Sequence, residues 1–203
     1  MPKLKFKKLV IGVTGSLGSG KTTVSGMLGC LGGKIVDADK IAHEIIKPYK
    51  KIYKKIVRVF GREVLKKDGS VDRRKLGQIV FKSSSALGTL NKIMHPEIIR
   101  LIKEDIQLTK KKIIVLDAPL LVEAGLLNFV DYLIVVRAKK DAQLERVSKK
   151  SGIKKSEIIR RMKAQYPISA KVRLADFIID NSRTLENTKK QVKEIWRKIK
   201  WKN

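Results

Sequence analysis

Apolar positions along the chain change their period several times, and each change marks an element. A short apolar run over residues 8–14 ends in glycine and predicts a buried strand. Residues 21–31 place Val24, Met27, Leu28 and Leu31 on one helical face. A second short strand is expected over 34–37, then a helical pattern over 41–60 interrupted at Pro48, then a turn-rich stretch over 61–70 containing Asp68-Gly69. Further helices are expected over 73–81, 85–94 and 96–109, with Pro96 suited to a first helical position and Glu97 favourable in a first turn. Strands follow over 112–117 and 132–136, helices over 138–150, 156–165 and 169–174, a last strand over 177–180 and a closing amphipathic helix over 185–199. Strands alternating with helices imply an α/β fold with a central parallel sheet flanked by helices. The mostly helical block over 41–109 is too long for one crossover and is expected to be an inserted substrate subdomain. No repeat or low-complexity linker interrupts this order.

Length and composition narrow the class without naming a chemistry. The 203 residues suit one domain with a small insertion. A single cysteine, Cys30, excludes a disulfide framework and a cysteine zinc site, and reads as a small apolar filler at a helix end. Two histidines, His43 and His95, leave little for a histidine-ligated metal; His43 reads as an ordinary helix-face residue. The opening MPKLKFKKLVIGVTG imitates a leader, but its apolar part is short and runs into a glycine loop. No apolar run is long enough for a membrane span, so a cytoplasmic protein is expected, with no membrane partner. The net charge of +28 invites a nucleic-acid reading, yet aromatics are only 5% and lysine dominates the basic residues, so no nucleic acid is expected. The segment 137–173 stands apart, with 13 basic residues against 3 acidic, an excess that could face a polyphosphate. Trp196 and Trp201, on the last helix, read as packing residues.

The sharpest motif is Gly15-Ser16-Leu17-Gly18-Ser19-Gly20-Lys21-Thr22, which fits the phosphate-binding P-loop between a strand and a helix. Its glycines let successive backbone N–H groups turn toward phosphate oxygens, and the helix N-terminus adds partial positive charge. Lys21 would reach the β- and γ-phosphates, and Thr22 would help hold Mg²⁺. Thr23 falls where a nicotinamide-binding glycine would be needed, and no guanine-reading Asn-Lys-x-Asp is present. A small-molecule kinase, a nucleoside monophosphate kinase included, is the economical choice, ahead of a basic RNA-binding ATPase.

Asp37 and Asp39 end the second strand, where ligands of open parallel sheets bind. One could accept the proton of an attacking hydroxyl, both could organise Mg²⁺, or either could simply cap the next helix. Asp117 closes the strand over 112–117 and reads either as a Mg²⁺-organising acid or as a strand-end turn residue.

The motifs together resemble the dephospho-coenzyme A kinase family, which catalyses the last step of coenzyme A synthesis. The resemblance runs from the loop through Asp37-Ala38-Asp39, Val71-Asp72-Arg73-Arg74, His95-Pro96 and Pro119-Leu120-Leu121 with Glu123. It continues through Gln143-Leu144-Glu145-Arg146, Arg161-Met162-Lys163-Ala164-Gln165, Ala175-Asp176 and Ile179-Asp180-Asn181. It implies ATP-dependent phosphorylation of the ribose 3′-hydroxyl of dephospho-CoA, with ATP and Mg²⁺ as cofactors and a monomer or weak homo-oligomer. It also implies a kinase core over 1–40, 110–137 and 174–203, a helical CoA subdomain over 41–109 and a lid over 138–173. By position, Asp39 matches the general base, Lys21 the loop lysine and Arg146 the arginine that reaches the transferring phosphoryl. Gly15, Ser16, Gly18, Ser19, Gly20, Thr22 and Thr23 match the nucleotide cradle, and Asn181 falls where the family approaches adenine. His95 borders the acceptor, and Arg161 is a second basic position of the lid. Two departures stand out: Ser16 replaces a common glycine, and Lys149-Lys150 replace a second arginine, losing its forked grip.

Overall fold

The structure, a computed structural model, describes residues 8–152 and 154–201, with the side chains of residues 200 and 201 left out. The leader-like first seven residues and the Trp201 side chain therefore lie outside the described residues. The chain divides into two compact units, Met1–Asp37 with Ile106–Asn203, and Ala38–Asp105.

The first unit is built on five parallel strands, β1 (Leu9–Gly15), β2 (Lys34–Asp37), β3 (Ile113–Asp117), β4 (Tyr132–Arg137) and β5 (Phe177–Asp180), in the order β2-β3-β1-β4-β5. The apolar run of β1 is buried from Val10 onward, as a central strand of a two-sided sheet requires. Helix α1 (Lys21–Cys30) packs Val24 and Leu28 into one cluster with Val192, Ile195, Trp196 and Ile199 of the closing helix. Trp196 is thus a packing residue, as expected. Side chains at the strand ends hold the register: Asp131 accepts the Val10 N–H at 2.8 Å, and Asp176 accepts the Leu133 N–H at 2.7 Å.

The second unit is helical, with α2 (Ala38–Ile45), α3 (Lys51–Phe60), α4 (Arg73–Val80) and most of α5 (Ser84–Leu108). Ile45, Ile52, Ile56, Phe60, Leu76 and Val80 form its core. Asp72 caps α4 by accepting the N–H groups of Arg74 and Lys75, and those hydrogen bonds, led by that from Lys75, hold its carboxyl below the usual range. The remaining helices, α6 (Lys140–Ser151), α7 (Lys155–Lys163), α8 (Ile168–Arg173) and α9 (Leu185–Trp201), belong to the first unit.

Three expectations are corrected. Ser84–Leu108 form one helix with Pro96 inside it, not two helices with Pro96 at a start. Proline removes one backbone donor, but Ile93, Met94, Ile98 and Leu101 continue the apolar stripe across it onto the helical core, so packing carries the helix through. Helix α2 begins at Ala38, which puts Asp39 in its first turn. Cys30 is exposed and fills no space. A 3₁₀ turn at Arg62–Val64 falls in the turn-rich stretch expected over 61–70, and a second, too brief to show a period, lies at Leu126–Phe129.

Candidate active site

The P-loop leaves β1 at the middle of the sheet, where the strand order reverses direction around β1. Gly18 and Gly20 adopt φ of 78° and 88°, the left-handed region open to glycine. A Cβ on Gly20 would stand 1.9 Å from the Asn181 Nδ2, so this glycine is fixed by close approach as well as by φ. Gly20 caps α1 with no side-chain partner. Among the described residues the N–H groups of Gly18, Gly20, Lys21 and Thr22 have no acceptor, while Ser19 donates to the Ser16 carbonyl. Four unpaired donors at a helix start are the geometry an anion needs.

Side chains from distant elements grip the loop. The Ser16 hydroxyl donates to Gln143 Oε1 at 2.8 Å, and Gln143 Nε2 donates to the Ala138 carbonyl at 2.6 Å. The Ser16 side chain thus ties the loop to α6. The Leu17 N–H donates to Gln165 Oε1 at 3.1 Å, and Thr14 donates its hydroxyl proton to the Pro119 carbonyl at 3.0 Å. Asn181 Nδ2 donates to the Ser19 carbonyl at 2.8 Å, and the Asn181 Oδ1 accepts from the Thr188 hydroxyl at 2.8 Å. The carboxamide is therefore engaged with the loop and with α9.

Lys21 forms an ion pair with Asp117, whose side chain is only 2% exposed. Asp117 is level with Val13 of β1 and with Asp37 of β2, so two carboxylates end neighbouring strands on the loop's side of the sheet. Thr22 and Thr23 are exposed, and the Thr22 hydroxyl has no partner among the described residues. Arg146, on α6, donates from Nη2 to the Asn181 carbonyl at 2.9 Å. Its Nη1 is buried with no hydrogen-bond partner among the described residues, and lies 3.8 Å from where a Gly20 Cβ would be. Arg161 donates to Glu157 at 2.6 Å on the same helix, α7. Lys149 pairs with Glu145 at the surface.

Asp39 and His95 lie in the helical unit, on α2 and α5. Burial lowers the His95 imidazole below its ordinary value, which favours its neutral form. The basic excess over 137–173 is not all available to a ligand, because Lys171 is fully buried. Its ammonium donates to the Pro119 carbonyl and pairs with Glu123, both at 2.8 Å, and Glu123 also accepts the Tyr166 N–H at 2.9 Å. The loop motif, the strand-end acids Asp37 and Asp117, Arg146 and Asn181 all point to this region in the sequence, whereas the pairing of Asp117 with Lys21, of Gln165 with Leu17 and of Thr188 with Asn181 has no local signal.

Gly20→Ala is expected to destabilise the fold by about 1–3 kcal/mol, since alanine at this φ is strained and its methyl displaces Asn181. Thermal melting combined with nucleotide titration checks this; unchanged melting and binding would contradict it.

Comparison with known proteins gives one consistent family. Residues 9–187 match the family model described as dephospho-CoA kinase. A dephospho-CoA kinase of Carboxydothermus hydrogenoformans is 44% identical over 197 residues, covering 96% of each chain. The structure of dephospho-CoA kinase from Campylobacter jejuni is similar with a TM-score of 0.65 and 29% identity, covering 94% of this chain and 96% of that one. A Thermus thermophilus structure is similar with a TM-score of 0.80 and 29% identity, covering 94% and 97%.

Proposed function

The chain belongs to the dephospho-CoA kinase family, and from that premise we propose how its residues carry an ATP-dependent phosphorylation of dephospho-CoA. In this reading the 3′-oxygen of the ribose attacks the terminal phosphorus of ATP. The bond from that phosphorus to the β–γ bridging oxygen breaks, ADP leaves with the electron pair, and the hydroxyl proton passes to Asp39. Phosphoryl transfer asks the protein chiefly for in-line placement and charge neutralisation. The unpaired loop N–H groups and Lys21 take the phosphates, and Arg146 Nη1 meets the charge on the group in flight. Mg²⁺ suits this donor set, because Thr22 offers an exposed, unpartnered hydroxyl and Asp117 a carboxylate, with nucleotide phosphates completing the coordination; it would neutralise phosphate charge. Among the described residues no group of three or more His, Cys, Asp or Glu forms a separate metal site.

The helical unit Ala38–Asp105 is proposed to take the CoA moiety, with neutral His95 bordering it. The lid is proposed over 138–173, carrying Arg161. Within it, Gln143 and Gln165 bond to Ser16 and to the Leu17 N–H of the loop, and Arg146 donates to the Asn181 carbonyl. A cytoplasmic location and a monomer or weak homo-oligomer belong to the same proposal. Among the described residues no helix is long and apolar enough to cross a membrane.

The observation that supports this reading best is the buried, unpartnered Arg146 Nη1 beside a loop whose own donors are unpaired. An acceptor panel tests the function. With ATP and Mg²⁺ the protein should consume dephospho-CoA and leave AMP and CMP untouched; preference for AMP would make it a nucleoside monophosphate kinase instead. Asp39→Asn should keep ATP binding and lower turnover at least about 10²-fold. Unchanged turnover would remove Asp39 as the base.

A further inference from the structure

We propose that Thr188 is a positioning residue for the nucleotide, acting through Asn181 on the direction of a single P-loop peptide. The proposal rests on the loop binding ATP, and goes beyond it by naming what holds the loop in its binding shape.

Hydrogen-bond bookkeeping fixes the Asn181 carboxamide. Thr188 is fully buried and Asn181 is 6% exposed, so water does not satisfy either group. The Ser19 carbonyl can only accept, so the carboxamide atom facing it at 2.8 Å must be the NH₂ group. The opposite end is then an acceptor, and the hydroxyl of Thr188 must donate to it at 2.8 Å. The alternative acceptor for that hydroxyl, the Thr184 carbonyl just before α9, is farther at 3.3 Å. A flipped carboxamide would set its oxygen against the Ser19 carbonyl, two acceptors face to face. Thr188 therefore selects the orientation in which Asn181 can hold the loop.

The consequence reaches the ligand through peptide geometry. In a trans peptide the carbonyl and the following N–H point in opposite directions. Holding the Ser19 carbonyl toward Asn181 therefore directs the Gly20 N–H away from it, and that N–H has no acceptor among the described residues. Gly20 has φ of 88° and no Cβ, which is what lets Asn181 come this close. The backbone carbonyl of Asn181 receives Arg146 Nη2 at 2.9 Å, so the latch and the phosphate-facing arginine share one anchor. Loss of Thr188's proton should thus weaken ATP binding and leave the acceptor side alone.

The test compares Thr188→Val, which keeps shape and loses the donor, with Thr188→Ser, which keeps the donor. Binding of a non-hydrolysable ATP analogue is read by titration, and KM for dephospho-CoA by steady-state kinetics. Thr188→Val should weaken analogue binding about tenfold, the factor a buried hydrogen bond is worth, with KM for dephospho-CoA within about twofold. Thr188→Ser should restore wild-type binding. A folded Thr188→Val protein that melts lower yet binds the analogue unchanged would overturn the proposal, leaving Thr188 a structural residue. Should Thr188→Val not fold, Asn181→Asp carries the test: it still accepts from Thr188 but sets a carboxylate oxygen against the Ser19 carbonyl, and normal analogue binding by that variant overturns the proposal. Analogue binding does not involve the acceptor, so failure of the acceptor panel with intact Thr188 dependence would sink the kinase assignment and spare the latch.

Discussion

Lys171→Met is expected to lower the free energy of unfolding by about 3–5 kcal/mol, the range for breaking a buried ion pair from one side. Lys171 is 0% exposed and its partner Glu123 is 13% exposed. In the native protein, Glu123 Oε1 receives the ammonium and the Tyr166 N–H, while Oε2 is buried with no partner among the described residues. Methionine can fill the lysine's volume, yet it leaves a largely buried carboxylate with one backbone donor. The Pro119 carbonyl is less exposed to the change, since it keeps the Thr14 hydroxyl. The damage should therefore come from the stranded charge rather than from the cavity. The double variant Lys171→Met with Glu123→Leu separates the two causes: removing both charges should recover most of the loss. Urea unfolding of the wild type, both single variants and the double variant gives the coupling directly. Losses that simply add would show that the pair is not coupled. The effect should also reach the loop, because Gln165, which holds the Leu17 N–H, lies one residue before Tyr166.

Which parts of this molecule could be read from the sequence follows from how local their causes are. The P-loop was legible because its glycines and the Lys-Thr pair act within one turn of chain, and the strands Lys34–Asp37 and Phe177–Asp180 fell at their expected bounds. Short apolar runs closed by an acid leave little choice of register. Pro96 misled because its local effect, ending or starting a helix, is overruled by the apolar stripe that the helical core demands. Lys171 sits in the most basic stretch of the chain and looks like one more solvated lysine. Its burial depends on a carbonyl 52 positions away, and no local pattern announces such a partner. Asn181 reaches a loop residue 162 positions away, and Lys21 meets an acid 96 positions away. The residues proposed for the chemistry carry a local signal in the sequence; the long-range partners that hold them, such as Thr188 on Asn181, carry none.

Arg146→Ala is expected to lower kcat about 10³-fold or more, while ATP affinity changes by less than about tenfold. The guanidinium has two separable duties in this structure. Nη2 is committed to the Asn181 carbonyl, which fixes the plane of the fork, and Nη1 is left buried beside the loop without a partner. A group held this way is preorganised: its desolvation has been met by folding, and it need not reorganise when charge develops on the transferring phosphoryl. An interaction that strengthens in the transition state acts on kcat, whereas one made equally with bound ATP acts on KM. Arg146→Lys discriminates further, because an ammonium cannot hold the Asn181 carbonyl and present a second fixed donor in the same plane. It should recover charge but little rate. Single-turnover transfer to dephospho-CoA, read beside analogue titration, measures the two effects apart. A variant that binds ATP poorly but, once saturated, transfers at nearly the native rate would make Arg146 a ground-state binding residue. The buried Nη1 would then serve the loop's shape, and the charge of the transferring group would have to be met by Lys21 and the loop N–H groups alone.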